Sequence, residues 1–436
     1  MAYLNAELID RRAPSPASTI RRAIRQDGFN RTLLFSDLPN YSDILLLQGP
    51  VGPFFSKLGH YWRNRGAKVT KVNFNSGDDL FYPPIGHSVI QYKGRLSHWP
   101  QFLTSLLVER SIRAVFLFGD FRKIHQPVHS LCEALGIDVF VFEEGYIRPD
   151  RFTLEKSGVN YHSMLSQMNM DAIHNQRESG HEPPIKRHYA NSYWYMVRWA
   201  IAYWFRGLRN QSHYPDYTHH RHLDARMGLR WTRAFLRYWL YKLSEYSVKS
   251  RLLHSKKQDA NSRYFLVPLQ VHDDAQMTAH SDFTSIEEVI ETVISSFSTH
   301  IHNSKRSDIL IIKHHPMDRG HTNFKRFIRD IAKLYRLEQR VIYVHDLSLP
   351  ALLGKVSGCI TVNSTIGLQA LYRNVPTINL GRSFYDKPGI TFQGTLDEFW
   401  YSEAKVDGEK VKALRNYLLH HTQVNGSLYD PAYQID

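Results

Sequence analysis

The sequence predicts an α/β protein of two Rossmann-like, doubly wound domains with a basic, aromatic helical segment between them. Strand-like apolar runs alternate with helical patterns from Asp43 to Phe142 and again from Tyr264 to Leu380. Alternation of this kind builds a parallel sheet with helices on its faces. The rhythm breaks between Gly180 and Ser262 and then resumes, which separates two such units. At 436 residues the chain also exceeds what one hydrophobic core usually serves. One large α/β unit is the alternative architecture.

Residues 1–40 are polar and Arg-rich without a sustained period and read as a loosely held leader. The first domain spans 41–180. It opens with the run Asp43–Gln48, a buried strand of the parallel-sheet kind, followed by the turn Gly49-Pro-Val-Gly52-Pro53 and a helical pattern over Phe54–Arg65. Strands are expected at Lys71–Phe74, Ala114–Phe118 and Asp138–Phe142, with helices over Trp99–Arg110 and Phe121–Leu135. The helical segment covers 181–262. The second domain, 263–436, is expected to hold strands at Tyr264–Val271, Ile309–Lys313, Val341–His345, Gly358–Val362 and Thr377–Leu380. Helices are expected over Ser285–Ser298, Asn323–Tyr335 and Ile366–Tyr372. Two such domains around a cleft are the GT-B arrangement of glycosyltransferases, because ligands of open α/β sheets sit at the carboxyl ends of strands.

Composition narrows the function classes. Hydrophobic residues at 42% and charged residues at 22% exclude a disordered, collagen-like or coiled-coil chain. No uninterrupted apolar run reaches the roughly 18 residues a spanning helix needs, and the N-terminus lacks the apolar core of a signal peptide, so the protein is expected to stay in the cytoplasm. Two cysteines, Cys132 and Cys359, are too few for a disulfide framework or a cysteine zinc site. A net charge of +14 favours an anionic partner. Most of that excess lies between Lys186 and Lys257, where fifteen basic residues face three acidic ones, Asp216, Asp224 and Glu245.

Neither GxGxxG nor GxxxxGK[ST] occurs, which speaks against a dinucleotide fold or a P-loop. The candidate chemistry lies where strands end. Gly49 and Gly52 either bring backbone close to a ligand or only make a turn. Glu143 and Glu144 follow a strand, and adjacent carboxylates raise one another's pKa, which suits acid/base work; both could equally be solvated at a sheet rim. Gln270-Val-His-Asp-Asp274-Ala-Gln276 is polar for a helix cap, although Asp274 could be one. Lys313-His314-His315-Pro316 offers phosphate donors held by a proline, or a surface turn. Ser364 and Thr365 open a helix and serve equally as anion donors or as a cap. Adjacent histidines point apart, so a metal is not expected at His314 and His315; His213, His219, His220 and His222 also lack the usual zinc spacing.

Together, LLLQGPVGPFF, FNSGDD, LFGD, EEGYIRP, LQVHDDAQ, KHHPMDRG and VNSTIGLQAL resemble the capsular polysaccharide β-Kdo transferases of Gram-negative bacteria in their single-module form, over Asp43 to Gly426. The resemblance implies a GT-B enzyme that places the first Kdo from CMP-β-Kdo on a phosphatidylglycerol-type lipid, starting the linker of a capsule. The family's acid pair falls on Glu143 and Glu144, with the residue before Gly145 favoured by analogy with the bacterial sialyltransferases. The nucleotide-phosphate signature falls on Lys313, His315 and Pro316, and the hydroxyl pair on Ser364 and Thr365. The Gln-x-x-x-Asp pattern of retaining β-Kdo transferases falls on Gln270 and Asp274, making Asp274 the candidate nucleophile. Where related two-module enzymes have serine, this chain has Gln276. No metal or other cofactor is implied, since Lys313 and His315 can neutralise a single leaving phosphate. The implied partners are CMP-Kdo, the lipid, the cytoplasmic face of the inner membrane, and other capsule biosynthesis and export proteins. A non-catalytic lipid-glycan binder, or a transferase for another CMP-ulosonate such as sialic acid, is the competing reading.

Residues 186–257 hold five of the eight tryptophans, interleaved with arginine. Tryptophan and tyrosine favour the headgroup layer, and basic residues favour anionic lipid, so a peripheral membrane association is expected. An aromatic hairpin packed on the domains is the alternative. Arginine beside aromatics could also track a phosphate backbone, but nucleic acid is not the expected partner.

Overall fold

The computed structural model describes residues 35–175, 182–209, 213–216, 226–254, 262–304 and 306–435. In the first domain these form β1 (Asp43–Leu46), α1 (Phe54–Asn64), β2 (Lys68–Asn73), α2 (Ser76–Phe81), β3 (Val89–Gln91), α3 (Trp99–Glu109), β4 (Ala114–Phe118), α4 (Val128–Leu135), β5 (Asp138–Glu144) and β6 (Arg151–Lys156). Two helices follow, α5 (Ser192–Arg209) and α6 (Arg226–Ser244). The second domain contains β7 (Tyr264–Pro268), α7 (Ala275–His280), α8 (Ile286–Ser304), β8 (Ile309–Lys313), α9 (Lys325–Leu334), β9 (Val341–Val344), β10 (Gly358–Thr361), α10 (Ile366–Leu371), β11 (Thr377–Asn379) and α11 (Gly408–His421), before β12 (Gln423–Asn425).

The second sheet runs β11-β10-β7-β8-β9 and is parallel throughout. The first runs β12-β6-β5-β4-β1-β2-β3, parallel from β5 to β3 and antiparallel at β6 and β12. Unbroken apolar runs form the central strands because both faces are covered. Ile44 and Leu46 pack with Phe54, Leu58 and Trp62 of α1, while Leu45 and Leu47 pack with Leu103 and Leu107 of α3 on the other face. The second sheet repeats this: Phe265 and Val267 meet α8, and Leu266 meets Leu352 and Leu353 opposite. Parallel order and two covered faces in each sheet make the architecture GT-B-like.

Three expectations need correction. Part of the leader is held, since Phe35 and Leu38 are buried in the first domain's core; residues 1–34 lie outside the described residues. The helix expected over Phe121–Leu135 begins only at Val128. Gly119, at φ +68°, and Pro127 leave the intervening residues as a loop that delivers Arg122 to the cleft. The second domain does not keep its C-terminus to itself, because β12 pairs with β6 and Tyr433 packs on Phe54 and Phe152 of the first core. Behind the cleft the domains share a third core, in which Tyr146, Leu165 and Ile173 meet Leu368, Phe384 and Leu418. There the Lys387 amine donates to the Leu165 and Met168 carbonyls at 2.7 and 2.6 Å.

The helices α5 and α6 clasp different domains. Trp199 on α5 donates to the Tyr429 carbonyl at 3.0 Å, and the Tyr203 hydroxyl donates to Asp78 at 3.1 Å. On α6, Arg237 donates to the Arg319 carbonyl at 2.7 Å and Tyr241 stacks on His345 with ring centroids 3.7 Å apart. Trp204 and Trp231 join the two helices at 5.3 Å. No described helix is long and apolar enough to cross a membrane.

Tyr433→Ala empties a ring site in the first core and is expected to destabilise the protein by about 3 kcal/mol, the low end for a large buried aromatic. The readout is the denaturant midpoint of the full chain. An unchanged midpoint would mean that the C-terminal tail does not support that core.

Candidate active site

Both sheets aim the carboxyl ends of their strands at one cleft of about 1160 Å³. The first domain contributes Gln48, Arg122, Glu143 and Glu144, and the second Gln270, Asp274, Lys313, His315, Pro316, Ser364 and Thr365. Nine of the eleven residues singled out in the sequence therefore meet in one place. Gly49 and Gly52 do not line it: a Cβ on Gly49 would meet the Phe55 ring at 2.5 Å, and one on Gly52, at φ +110°, the Trp199 ring at 2.9 Å. Their lack of a side chain serves the turn and the seating of α5.

The two acidic neighbours differ. Glu143 accepts from the Glu144 backbone N–H at 2.9 Å, and burial, with the Glu144 and Asp120 charges adding to it, pushes its carboxyl up to about 7. It nevertheless keeps some surface open toward the cleft. Glu144 accepts from the Tyr429 hydroxyl and lies 3.9 Å from Arg148. It is committed to the C-terminal tail and to its own loop.

Across the cleft, the loop after β7 is built around Gln270. Its amide donates to Asp274 Oδ2 at 2.9 Å and to Asn363 Oδ1 at 3.0 Å, joining the ends of β7 and β10. Asp274 Oδ1 accepts from the Gln276 N–H at 2.9 Å as the N-cap of α7. Asp274 thus caps a helix and also lies on the cleft wall. Gln276 also lines the cleft, and its carbonyl accepts from Asn363.

Lys313 is buried at the end of β8 and donates to the His345 carbonyl at 3.1 Å. Burial, helped by the Arg319 charge, lowers its amine to about 8. His315 Nδ1 accepts from the Met317 N–H, which fixes its ring over the Pro316 turn. The buried Asp318 takes the His272 N–H at 2.9 Å, His272 Nδ1 at 2.5 Å and the Thr322 hydroxyl at 3.2 Å, welding the loop of Asp274 to that of His315. Among the described residues, His272, Asp318 and His321 are the cluster compact enough to share a cation. His219, His220 and His222 lie outside the described residues. Sequence reasoning missed Arg122 and Arg319 on the cleft walls, and Tyr429 behind them. The Arg-Lys pair just past the LFGD strand end was the available signal for Arg122.

Residues 113–429 match the profile of the family described as capsule polysaccharide biosynthesis protein. The chain belongs to that family. Among capsule polysaccharide biosynthesis proteins it is 38% identical over 412 residues to the capsule polysaccharide modification protein LipB of Neisseria meningitidis serogroup B, covering 92% of this chain and 96% of that protein. It is 35% identical over 386 residues to the capsule polysaccharide export protein KpsS of Escherichia coli, covering 88% and 96%. Among solved structures it is similar to the β-Kdo 2,7 transferase of Thermosulfurimonas dismutans KpsC, at 12% identity, TM-score 0.37 and coverage of 85% and 89%.

Proposed function

We propose that this capsule polysaccharide biosynthesis protein is a retaining, metal-independent β-Kdo transferase. It moves Kdo from CMP-β-Kdo to a (lyso)phosphatidylglycerol acceptor at the cytoplasmic face of the inner membrane. The observation that carries the reading is the cleft's division of chemistry: a carboxylate with Gln270 on one wall beside Lys313, His315, Ser364 and Thr365, and a carboxyl with a raised pKa on the other. In the first displacement the Asp274 carboxylate attacks C2 of Kdo and the C2–O bond breaks, its electron pair leaving with the CMP phosphate. Lys313 and His315 stabilise that charge, and the hydroxyls of Ser364 and Thr365 donate to the same oxygens. In the second, the acceptor hydroxyl attacks C2, Asp274 departs with its electron pair, and a glutamate takes the proton. We assign that base to Glu143 instead of Glu144, reversing the order drawn from the sialyltransferases, because Glu144 is occupied by Tyr429 and Arg148.

The helices α5 and α6 carry the membrane contact. Trp194, Ile201 and Phe205 on α5, and Leu229, Leu236, Trp239 and Leu243 on α6, are exposed beside the exposed Arg198, Arg206, Arg233 and Lys242. Apolar side chains recurring on one helix face with cations at its margin suit an anionic lipid surface. Arg237 is not part of that surface, since it faces Arg319.

Three outcomes test this reading. Transfer from CMP-Kdo should follow a bell in pH. Glu143 accepts a proton only when ionised, so the rate rises through about pH 7, and Lys313 is a cation only below about pH 8, so it falls beyond that. Glu143→Gln should remove the rising limb along with most of the rate, and a wild-type profile flat across that window would sink the assignment. Asp274→Asn keeps the helix cap and should abolish transfer while CMP still binds; mass spectrometry of wild type given donor without acceptor should find one Kdo on the Asp274 peptide. An active Asp274→Asn enzyme, or an α-linked product, would exclude double displacement. Finally, the protein should pellet with phosphatidylglycerol vesicles and release at high salt, and Trp194→Ser with Trp239→Ser should weaken pelleting without loss of fold. Equal pelleting with neutral vesicles at any salt would remove the electrostatic part.

A further inference from the structure

We infer that Arg122 is the anchor for the acceptor's phosphate, on the wall opposite the nucleotide. The inference rests on the lipid-acceptor reading above and concerns the half of the cleft that the donor motifs leave unassigned. CMP carries one phosphate, and the second domain already offers Lys313 and His315 beside the Ser364 and Thr365 hydroxyls for it. A further fixed guanidinium on the first domain's wall calls for a second anion.

Arg122 is held as a ligand-binding arginine must be. Its Nη1 donates to Gln48 Oε1 at 2.8 Å and to the Gly49 carbonyl at 3.2 Å, and its guanidinium lies 5.1 Å from the Phe118 ring centroid. Gln48 is itself 2% exposed and donates through Nε2 to the Asp78 carboxylate at 3.1 and 3.3 Å. Asp78 also accepts from Tyr203 of α5. One edge of the guanidinium is thereby immobilised through a buried chain of polar groups. Its Nε and Nη2 make no hydrogen bond to the described residues, while Arg122 lines the cleft.

Its neighbours explain why an acceptor phosphate, in particular, fits. Arg122 lies near enough to Glu143 for its charge to act on that carboxyl. A glycerophosphate headgroup has hydroxyls a few bonds from its phosphodiester, so a phosphate on Arg122 brings a hydroxyl to the base. The planar guanidinium fork suits phosphate oxygens in a way that a lysine ammonium does not. The route also fits a lipid, because the polar chain that holds Arg122 begins on α5, whose outer face carries Trp194 and Phe205.

The test is calorimetric titration of the full chain, with saturating CMP, by dihexanoyl phosphatidylglycerol. Arg122→Ala and Arg122→Gln should weaken lipid binding roughly 10- to 100-fold, as loss of a charged hydrogen bond does. Both should leave CMP and CMP-Kdo affinities at the wild-type value, which also shows that the variants fold. Arg122→Lys should recover only part of the loss. Dihexanoylglycerol, which lacks the phosphate, should bind weakly and equally to all four proteins. Unchanged lipid binding in both neutral variants would overturn the assignment. So would weakened binding of CMP-Kdo but not CMP, which would give Arg122 to the donor's carboxylate. Inorganic phosphate binding through Arg122 as tightly as the lipid would also overturn it, as the mark of a bare anion site. Arg122-dependent lipid binding by a wild type that transfers no Kdo would uphold the anchor while removing the proposed donor.

Discussion

Parallel strands leave a sheet at one edge, and the chemistry of this protein depends on two such edges facing each other. Glu143 and Glu144 end β5, while the loop of Gln270 and Asp274 follows β7. Lys313 ends β8, and Asn363 to Thr365 follow β10. Each group is fixed by a strand whose two faces are apolar, so burial sets position and protonation together. Desolvation drives a carboxyl upward and an amine downward. Glu143 and Lys313, on opposite walls, are brought by the same cause to about 7 and about 8. A cleft that kept its polar groups in water would leave them several units apart.

The same constraint explains what could be read from the sequence. Strands covered on both faces appear as unbroken runs such as Ile44-Leu45-Leu46 or Ile309–Ile312, and the polar bursts that follow them mark the site. The antiparallel strands at the end of the first sheet carry no such mark. In β6, buried Phe152 and Leu154 alternate with buried Thr153 and Glu155, and β12 is only three residues long. Gln423 of β12 bonds Thr153 across 270 positions of chain, a separation that no local pattern records. The site fails to be legible for the same reason where partners are remote: Arg122 is positioned by Gln48, 74 residues earlier, and Glu144 is engaged by Tyr429, 285 residues later. Gly49 and Gly52 were plausible ligand contacts because a glycine turn after a strand looks alike whether it admits a ligand or a neighbouring ring. Only packing distinguishes them, and here the neighbours are Phe55 and Trp199.

The aromatic helices connect the two walls of the cleft. The buried face of α5 reaches Asp78 and the C-terminal tail, and thereby the wall that holds Arg122 and Glu144. The inner, half-buried face of α6 reaches Arg319 and His345, whose carbonyl receives Lys313; Glu245, just past its end, accepts from the His345 and Asp346 N–H groups. Each wall of the cleft is thus braced by one of the two helices that present tryptophan and arginine outward, and Trp204 against Trp231 holds the helices together. A surface that engages both helices therefore bears on both walls at once. Under the proposed function, such bracing suits an acceptor that is itself part of that surface, with its headgroup entering beside α5 and the nucleotide on the wall that α6 supports.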